Sequence, residues 1–239
     1  CIGISVAFLV SYPLSSKRIR QQLEFFIRNL NYTHPDGRRA AVHAIATVIE
    51  KFPVASVNSE CDFIFLPIAA VLGNDDDVAC RESAANTLKC LFNKVSDGRK
   101  VVDLLGICFS LLGVKAEETF LGDSRQTTLG YTVLLNSNPA AQRSGAGAIG
   151  AAAKSGALSK QQLHSSLRAL LAVGMGGKSL ELDTNWDIVH TALCSAEIVF
   201  DAVATMAEKS EKPEDQQRVE TMSALRLFWN SVPELLQHE

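Results

Sequence analysis

Apolar residues recur along most of this chain at helical spacing, and strand-like alternation is scarce. From Arg38 to Phe52 the positions Val42, Ile45, Ile49 and Phe52 fall on one stripe, which Ala41 and Val48 widen. A second unit follows the same plan. Phe63 to Leu72 reads as an apolar helix, Asn74-Asp75-Asp76-Asp77 breaks it, and a helix from about Val78 to Val95 presents Ala84, Leu88, Leu91 and Val95 on one side. Asp77 or its neighbours are placed to cap the free amides of that helix and to sit at its positive end. The unit is helix, acidic turn, helix.

Alignment of the two units pairs Leu30 with Leu72, Arg39 with Arg81 and Ile49 with Leu91, a spacing of 42 residues. Periods of about 40 to 47 residues belong to HEAT and armadillo arrays. In the second copy Pro67 lies inside the first helix, Asp75 in the turn and Arg81 near the start of the second helix, and each has a mechanical role. Pro67 removes one intrahelical hydrogen bond, Asp75 can bond free amides or an Arg of the adjacent repeat, and Ala84 and Ala85 let helices approach. The fold class expected is all-α, a HEAT/armadillo-like solenoid of antiparallel helix pairs.

Past residue 100 the pattern loosens. Helices are expected at about 100–113, 124–136, 139–154, 159–173, 185–207 and 215–237, with insertion loops at Lys115–Gly122 and Gly174–Thr184. Eleven of the 15 glycines follow residue 100, which points to loops and close helix contacts there. Three regions result: 1–100 as well-patterned repeats, 101–207 as looser repeats with Gly-rich loops, and 208–239 as a polar linker and the start of a further repeat.

The chain has 239 residues, 47% of them apolar and 21% charged, which excludes a disordered or collagen-like chain. Its formal charge of -3 argues against a wholly basic nucleic-acid clamp. Charge is nevertheless uneven. Residues 1–100 carry 12 basic and 10 acidic side chains, against 11 and 16 afterwards, so the phosphate-facing region is expected in the first part. Lys17, Arg18, Arg20 and Arg28 lie on one helix and Arg38 and Arg39 start another. Aligned helix ends could gather these six into a strip, facing RNA phosphates or an acidic partner, or serving solubility and inter-repeat bonding.

Other motifs lack the context their chemistry needs. Gly145, Gly147 and Gly150 satisfy G-x-G-x-x-G, but the residues before them start a helix where a dinucleotide site requires a strand, so a tight helix crossing is expected. Ala172 to Ser179 resembles a phosphate-binding loop but has Ala172 in place of the first Gly and a helix before it. His190 and Cys194 are four apart on one helical face and could supply two metal ligands, yet a packed Cys beside a partly buried His is the expectation. Asp183, Asp187, Glu197 and Asp201 read as a solvated face, and Trp186 and Trp229 as core or inter-helix anchors. The sequon Asn31-Tyr32-Thr33 reads as an exposed turn. The six cysteines contain no C-x-x-C pair and read as reduced, mostly buried thiols of a cytosolic or nuclear protein. No catalytic residue, metal or cofactor is expected. Cys1–Leu14 is too short to cross a bilayer and reads as a buried helix end, and both chain ends suggest a segment of something longer.

Particular residues carry a family resemblance. Tyr12-Pro13-Leu14, the run Ile27–Val42, Lys51-Phe52-Pro53 and the run Asp62–Glu82 are similar to the carboxy-terminal part of the down-regulated-in-metastasis family, the giant HEAT-repeat proteins of the small-subunit processome. The family's Tyr-x-His-Pro-x-Gly-Arg turn corresponds to Tyr32, His34, Pro35, Gly37 and Arg38. Its Phe-rich helix, Leu-Pro, Asn-Asp turn and Cys-Arg correspond to Phe63, Phe65, Leu66, Pro67, Asn74, Asp75, Cys80 and Arg81. The resemblance implies a non-enzymatic nucleolar scaffold for 18S ribosomal RNA maturation. It also implies contacts with pre-ribosomal RNA, processome proteins and further repeats of a longer chain, with no membrane and no small-molecule substrate. A HEAT-repeat nuclear transport receptor or phosphatase scaffold is the alternative.

Overall fold

A computed structural model describes residues 15–120, 127–133, 138–174 and 186–208. Eight helices and one two-stranded hairpin make up the described residues: α1 (Ser16–Asn29), α2 (Pro35–Lys51), α3 (Val54–Asn74), α4 (Val78–Lys94), α5 (Gly98–Leu112), β1 (Val114–Phe120), β2 (Thr127–Val133), α6 (Pro139–Ser155), α7 (Lys160–Gly174) and α8 (Trp186–Glu208). The helices form consecutive pairs, α1/α2, α3/α4, α5/α6 and α7/α8, stacked as an α-solenoid. One row is built by α2, α4, α6 and α8, each packed on the next. The other row holds α1, α3, α5 and α7, with the hairpin lying against α7 and β1 continuing directly from α5. The expected end segment Cys1–Leu14, the helix at 215–237, the 208–239 linker and repeat beyond Glu208, and Trp229 all lie outside the described residues.

The stripes read from the sequence are the core. Ala41, Val42, Ile45, Val48, Ile49 and Phe52 on α2, and Ala84, Leu88, Leu91 and Val95 on α4, are all buried. At about 25 cal/mol per Å² of apolar surface, such burial is the main favourable term for each pair. Phe65 of α3 meets Phe92 of α4 edge to face at 6.1 Å, an arrangement that suits aromatic quadrupoles. Pro67 stands inside α3 as expected, and α3 begins at Val54, well before the apolar run at Phe63. The polar start Val54–Glu60 hides a helix whose buried positions are Val57, Glu60 and Cys61. Both α3 and the Trp186–Ala207 stretch are long and apolar enough to cross a membrane by length and composition. Of their most apolar windows 44% and 39% are buried, against neighbouring helices of the stack.

Two expectations are corrected. Helices α2 and α4 begin and end 43 residues apart, at 35 and 78 and at 51 and 94, so Arg38 and not Arg39 is the structural counterpart of Arg81. Their hydrogen bonds agree: Arg38 Nη1 donates to the carbonyls of Tyr32 and Thr33, and Arg81 Nη1 to those of Asp75 and Asp76, again 43 residues on. The second correction concerns 124–136, which holds strand β2 and not a helix. Thr127-Thr128 and Tyr131-Thr132-Val133 are β-branched or aromatic residues that pay side-chain entropy in a helix and suit a pleated strand. It pairs antiparallel with β1, Val114 opposite Val133 and Phe120 opposite Thr127. The expected loop at 115–122 is thus mostly strand, between the two helices of the third pair.

The glycine motif sits where helices touch most closely. A Cβ on Gly145 would lie 2.7 Å from the Cys108 carbonyl oxygen and from the Leu112 amide nitrogen of α5, and one on Gly73 of α3 would lie 2.5 Å from the Ser144 amide nitrogen. Only hydrogen fits at both crossings.

Candidate interaction surface

The loops from α1 to α2 and from α3 to α4 lie on one edge of the stack, and their polar groups bind one another across repeats. Asp75, which ends α3, accepts 2.8 Å bonds from Arg38 Nε and Nη2 of the preceding repeat. It also accepts from the Asp77 amide at 2.9 Å, while Asp76 takes a further bond from Arg38 Nη2. Burial alone would raise the Asp75 pKa, but the bonds from Arg38 and the Asp77 amide outweigh it and hold the carboxyl below the ordinary 3.8. The bond to Asp75 in turn raises the Arg38 guanidinium above its usual value. Asp77 caps α4 by accepting from the Cys80 amide at 2.8 Å, and that bond lowers its own pKa.

Tyr32 covers this edge: its ring lies so close that a Cβ on Gly37 would fall 2.3 Å from it, which gives a packing reason for a glycine at the start of α2. Further ties run in the same direction. Cys80 Sγ lies 3.4 Å from the Pro35 carbonyl, Lys94 Nζ donates to the Glu50 carbonyl at 2.9 Å, and Lys100 Nζ pairs with Asp62 at 2.7 Å. From α6, Arg143 donates to the Gly73 carbonyl and to Asn74 Oδ1.

The six basic residues therefore separate. Arg20 pairs with Glu60 at 3.6 Å and lies 4.4 Å over the Phe63 ring, Arg38 is held by Asp75 and Asp76, and Arg39 meets Asp36. These three thus have acids of their own chain beside them: Asp36, one turn back on the same helix, for Arg39, and Glu60, Asp75 and Asp76 of the next repeat for Arg20 and Arg38. Lys17, Arg18 and Arg28 are exposed and have no ion pair among the described residues. Lys17 and Arg18 stand roughly 15 Å along α1 from Arg28, given about 1.5 Å of rise per residue, so the helix places them near opposite edges.

A groove of about 540 Å³ opens beside this edge, between α4 and α8 over the small residues of α6. Arg81, Glu82, Arg143, Gly147, Asp187 and His190 contribute to its walls and floor. Sequence reasoning did not reach this groove, since it depends on bringing residues about 60 and 100 positions apart to one place. Among the described residues no three His, Cys, Asp or Glu side chains converge to hold a metal ion. The glycine motif is spent on packing, and only Ala172 to Gly174 of the Gly-rich loop are described, inside α7. The surface is extended and made for contact, as in non-catalytic repeat scaffolds.

Two site expectations on α8 are corrected. Trp186 is 69% exposed, because as the first residue of α8 it projects beyond the helix packing. His190 and Cys194 are likewise exposed, since Ile188, Ala192, Ser195, Ala196, Val199 and Val203 form the buried stripe and place the pair on the opposite face.

No protein-family profile matches the chain. Among curated proteins it is similar to the U3 small nucleolar RNA-associated protein 20 of Schizosaccharomyces pombe, 27% identical over 97 residues. It is also similar to the Saccharomyces cerevisiae protein of that name, 30% identical over 90 residues. The aligned parts are 41% and 38% of this chain and 4% of either relative. Among solved structures, the crystal structure of an engineered protein superposes with a TM-score of 0.39 at 14% identity, covering 92% of this chain and 88% of that one. The similarity to the two yeast proteins is partial and points to a link with their family.

Proposed function

We propose that this chain is part of a non-enzymatic scaffold in a large ribonucleoprotein, namely the nucleolar small-subunit processome, where it supports maturation of 18S ribosomal RNA. The observation that carries the reading is the similarity to two yeast proteins named for association with U3 small nucleolar RNA. The solenoid supports it, because stacked repeats expose a long surface suited to many simultaneous contacts. Its partners in this reading are processome proteins and pre-ribosomal RNA. Lys17, Arg18 and Arg28 supply any phosphate contact, through charge and without reading base sequence.

Purification of the full-length protein from nuclear extract, followed by sequencing of bound RNA and identification of bound proteins, tests the proposal. U3 small nucleolar RNA and 18S precursors are the expected enrichment. Recovery of transport receptors' cargo or phosphatase subunits without those RNAs overturns it. For the phosphate contact, neutralising Lys17, Arg18 and Arg28 together is expected to weaken unrelated RNAs alike and to reduce the salt slope by roughly 2 to 3 units. An unchanged slope removes these residues from the interface.

A further inference from the structure

We propose that the groove between α4 and α8 docks a segment of a partner protein that presents one acidic side chain between apolar residues. Two guanidiniums converge there on the end of α3. Arg81 Nη1, from α4, donates to the Asp75 and Asp76 carbonyls at 2.6 and 3.2 Å. Arg143, from α6, donates from Nε to the Gly73 carbonyl at 3.1 Å and from Nη2 to Asn74 Oδ1 at 3.0 Å. These bonds leave Arg81 Nε and Nη2 and Arg143 Nη1 without an acceptor among the described residues, and neither side chain has a carboxylate partner there. Arg20, Arg38 and Arg39, by contrast, each have an acid of their own chain. The anchoring bonds hold both guanidiniums in place before a ligand arrives, which lowers the ordering cost of a contact with a carboxylate.

The rest of the lining selects the occupant. Glu82 of α4 and Asp187 of α8 are exposed and also face the groove. A nucleic-acid strand carries a charge on every phosphate and would bring neighbouring phosphates against these two acids. A peptide can bring a single carboxylate to the arginines and neutral residues to either side of it. Apolar anchors flank this polar centre. Val78, the first residue of α4, lines the groove and is 56% exposed, and Trp186, 69% exposed, begins α8 next to Asp187. Arg and Trp are side chains on which protein interfaces concentrate their affinity. The volume of about 540 Å³ lies within the range of about 300–1,000 Å³ of sites that enclose a compact ligand. The groove serves this role whichever assembly holds the chain.

Titration of the full chain with short labelled peptides, read by fluorescence anisotropy, tests this. The probes are Leu-Asp-Leu and Phe-Glu-Leu cores in Gly-Ser flanks, their Leu-Asn-Leu and Phe-Gln-Leu counterparts, and oligouridylate of similar length. The acidic cores are expected to bind, and the amide cores to bind about tenfold more weakly or worse. Arg143→Gln is expected to bring the acidic cores down to the level of the amide cores, and Glu82→Gln to tighten them by removing a like charge. A shift of tryptophan emission on binding, absent in Trp186→Phe, is expected to place the peptide at this end of α8. Failure of the acidic cores to bind overturns the proposal, as does equal affinity for acidic and amide cores. Oligouridylate binding that displaces the peptides overturns it in favour of RNA. Where Arg143→Gln loses its far-ultraviolet dichroism, Glu82→Gln, a change to an exposed side chain, decides: unchanged or weaker binding of the acidic cores overturns the proposal.

Discussion

Arg38 and Asp75 meet in a two-bond contact that joins successive repeats, Nε to Oδ2 and Nη2 to Oδ1, both at 2.8 Å. The same guanidinium holds the carbonyls of Tyr32 and Thr33, so one side chain closes its own turn and grips the next. Asp75→Ala is expected to destabilise the chain by on the order of 2 kcal/mol, because it removes the two-bond link between repeats and leaves the Asp77 amide without its acceptor. The Arg38→Ala and Asp75→Ala changes are not additive. Urea midpoints of the two single variants and the double variant check this, and full additivity would refute the pairing.

The depressed pKa values of Asp75 and Asp77 fix an acid limit. A carboxyl whose folded pKa lies below its unfolded value of about 3.9 adds stability that is complete above that value and is lost as pH falls through the folded pKa. Stability should therefore fall below about pH 4 from these two groups, and Asp75→Asn should show a shallower fall there. Melting temperatures across pH 2 to 7 read it out; parallel curves for wild type and variant count against it.

Arg81→Ala is expected to cost about 1 to 2 kcal/mol, because it leaves the Asp75 and Asp76 carbonyls at the turn without their donor. Arg18→Ala, on an exposed residue, should stay within about 0.5 kcal/mol of wild type. Matching denaturant midpoints for the two variants would contradict the role given to Arg81.

Two glycines of similar helical setting should respond in opposite ways. Gly73→Ala brings a Cβ to 2.5 Å from the Ser144 amide nitrogen and is expected to lose about 1 to 3 kcal/mol by forcing α3 and α6 apart. Gly106→Ala meets nothing within 4 Å inside α5 and should gain roughly 0.5 to 1 kcal/mol from helix propensity. Thermal melts that move both in one direction would refute this reading of the crossing.

Among the five described cysteines, Cys194 should react first with a thiol reagent under native conditions. Burial pushes Cys61 and Cys80 up to about 11, and Cys108, fully enclosed, still further. Mass spectrometry after brief labelling checks the order; early modification of Cys108 would mean that α5 opens readily.

Much of the fold was legible because the relevant forces are local. The stripes on α2 and α4, the cap at Asp77 and the turn at Asp75 follow from residue spacing alone. The register slipped by one residue because Arg38 and Arg39 are adjacent and both fit a helix start, and only the carbonyls each can reach separate them. The hairpin is hard to read because the alternation of β1, Val114, Ala116 and Phe120 against Lys115, Glu117 and Thr119, is short and is broken by Glu118, so pairing with β2 defines it more than its own sequence does. The ion pairs of Arg20 and Arg38, and the groove over α6, depend on contacts between repeats that no single segment records.

The hairpin and the glycine crossings have a joint mechanical effect. α6 seats its small residues against both α3 and α5, while the hairpin between α5 and α6 lies against α7. Apart from its own partner α8, α7 leans on the hairpin more than on any other helix. Removing the hairpin should therefore leave α7 held mainly by α8, and the fourth pair should become the first part of the stack to loosen.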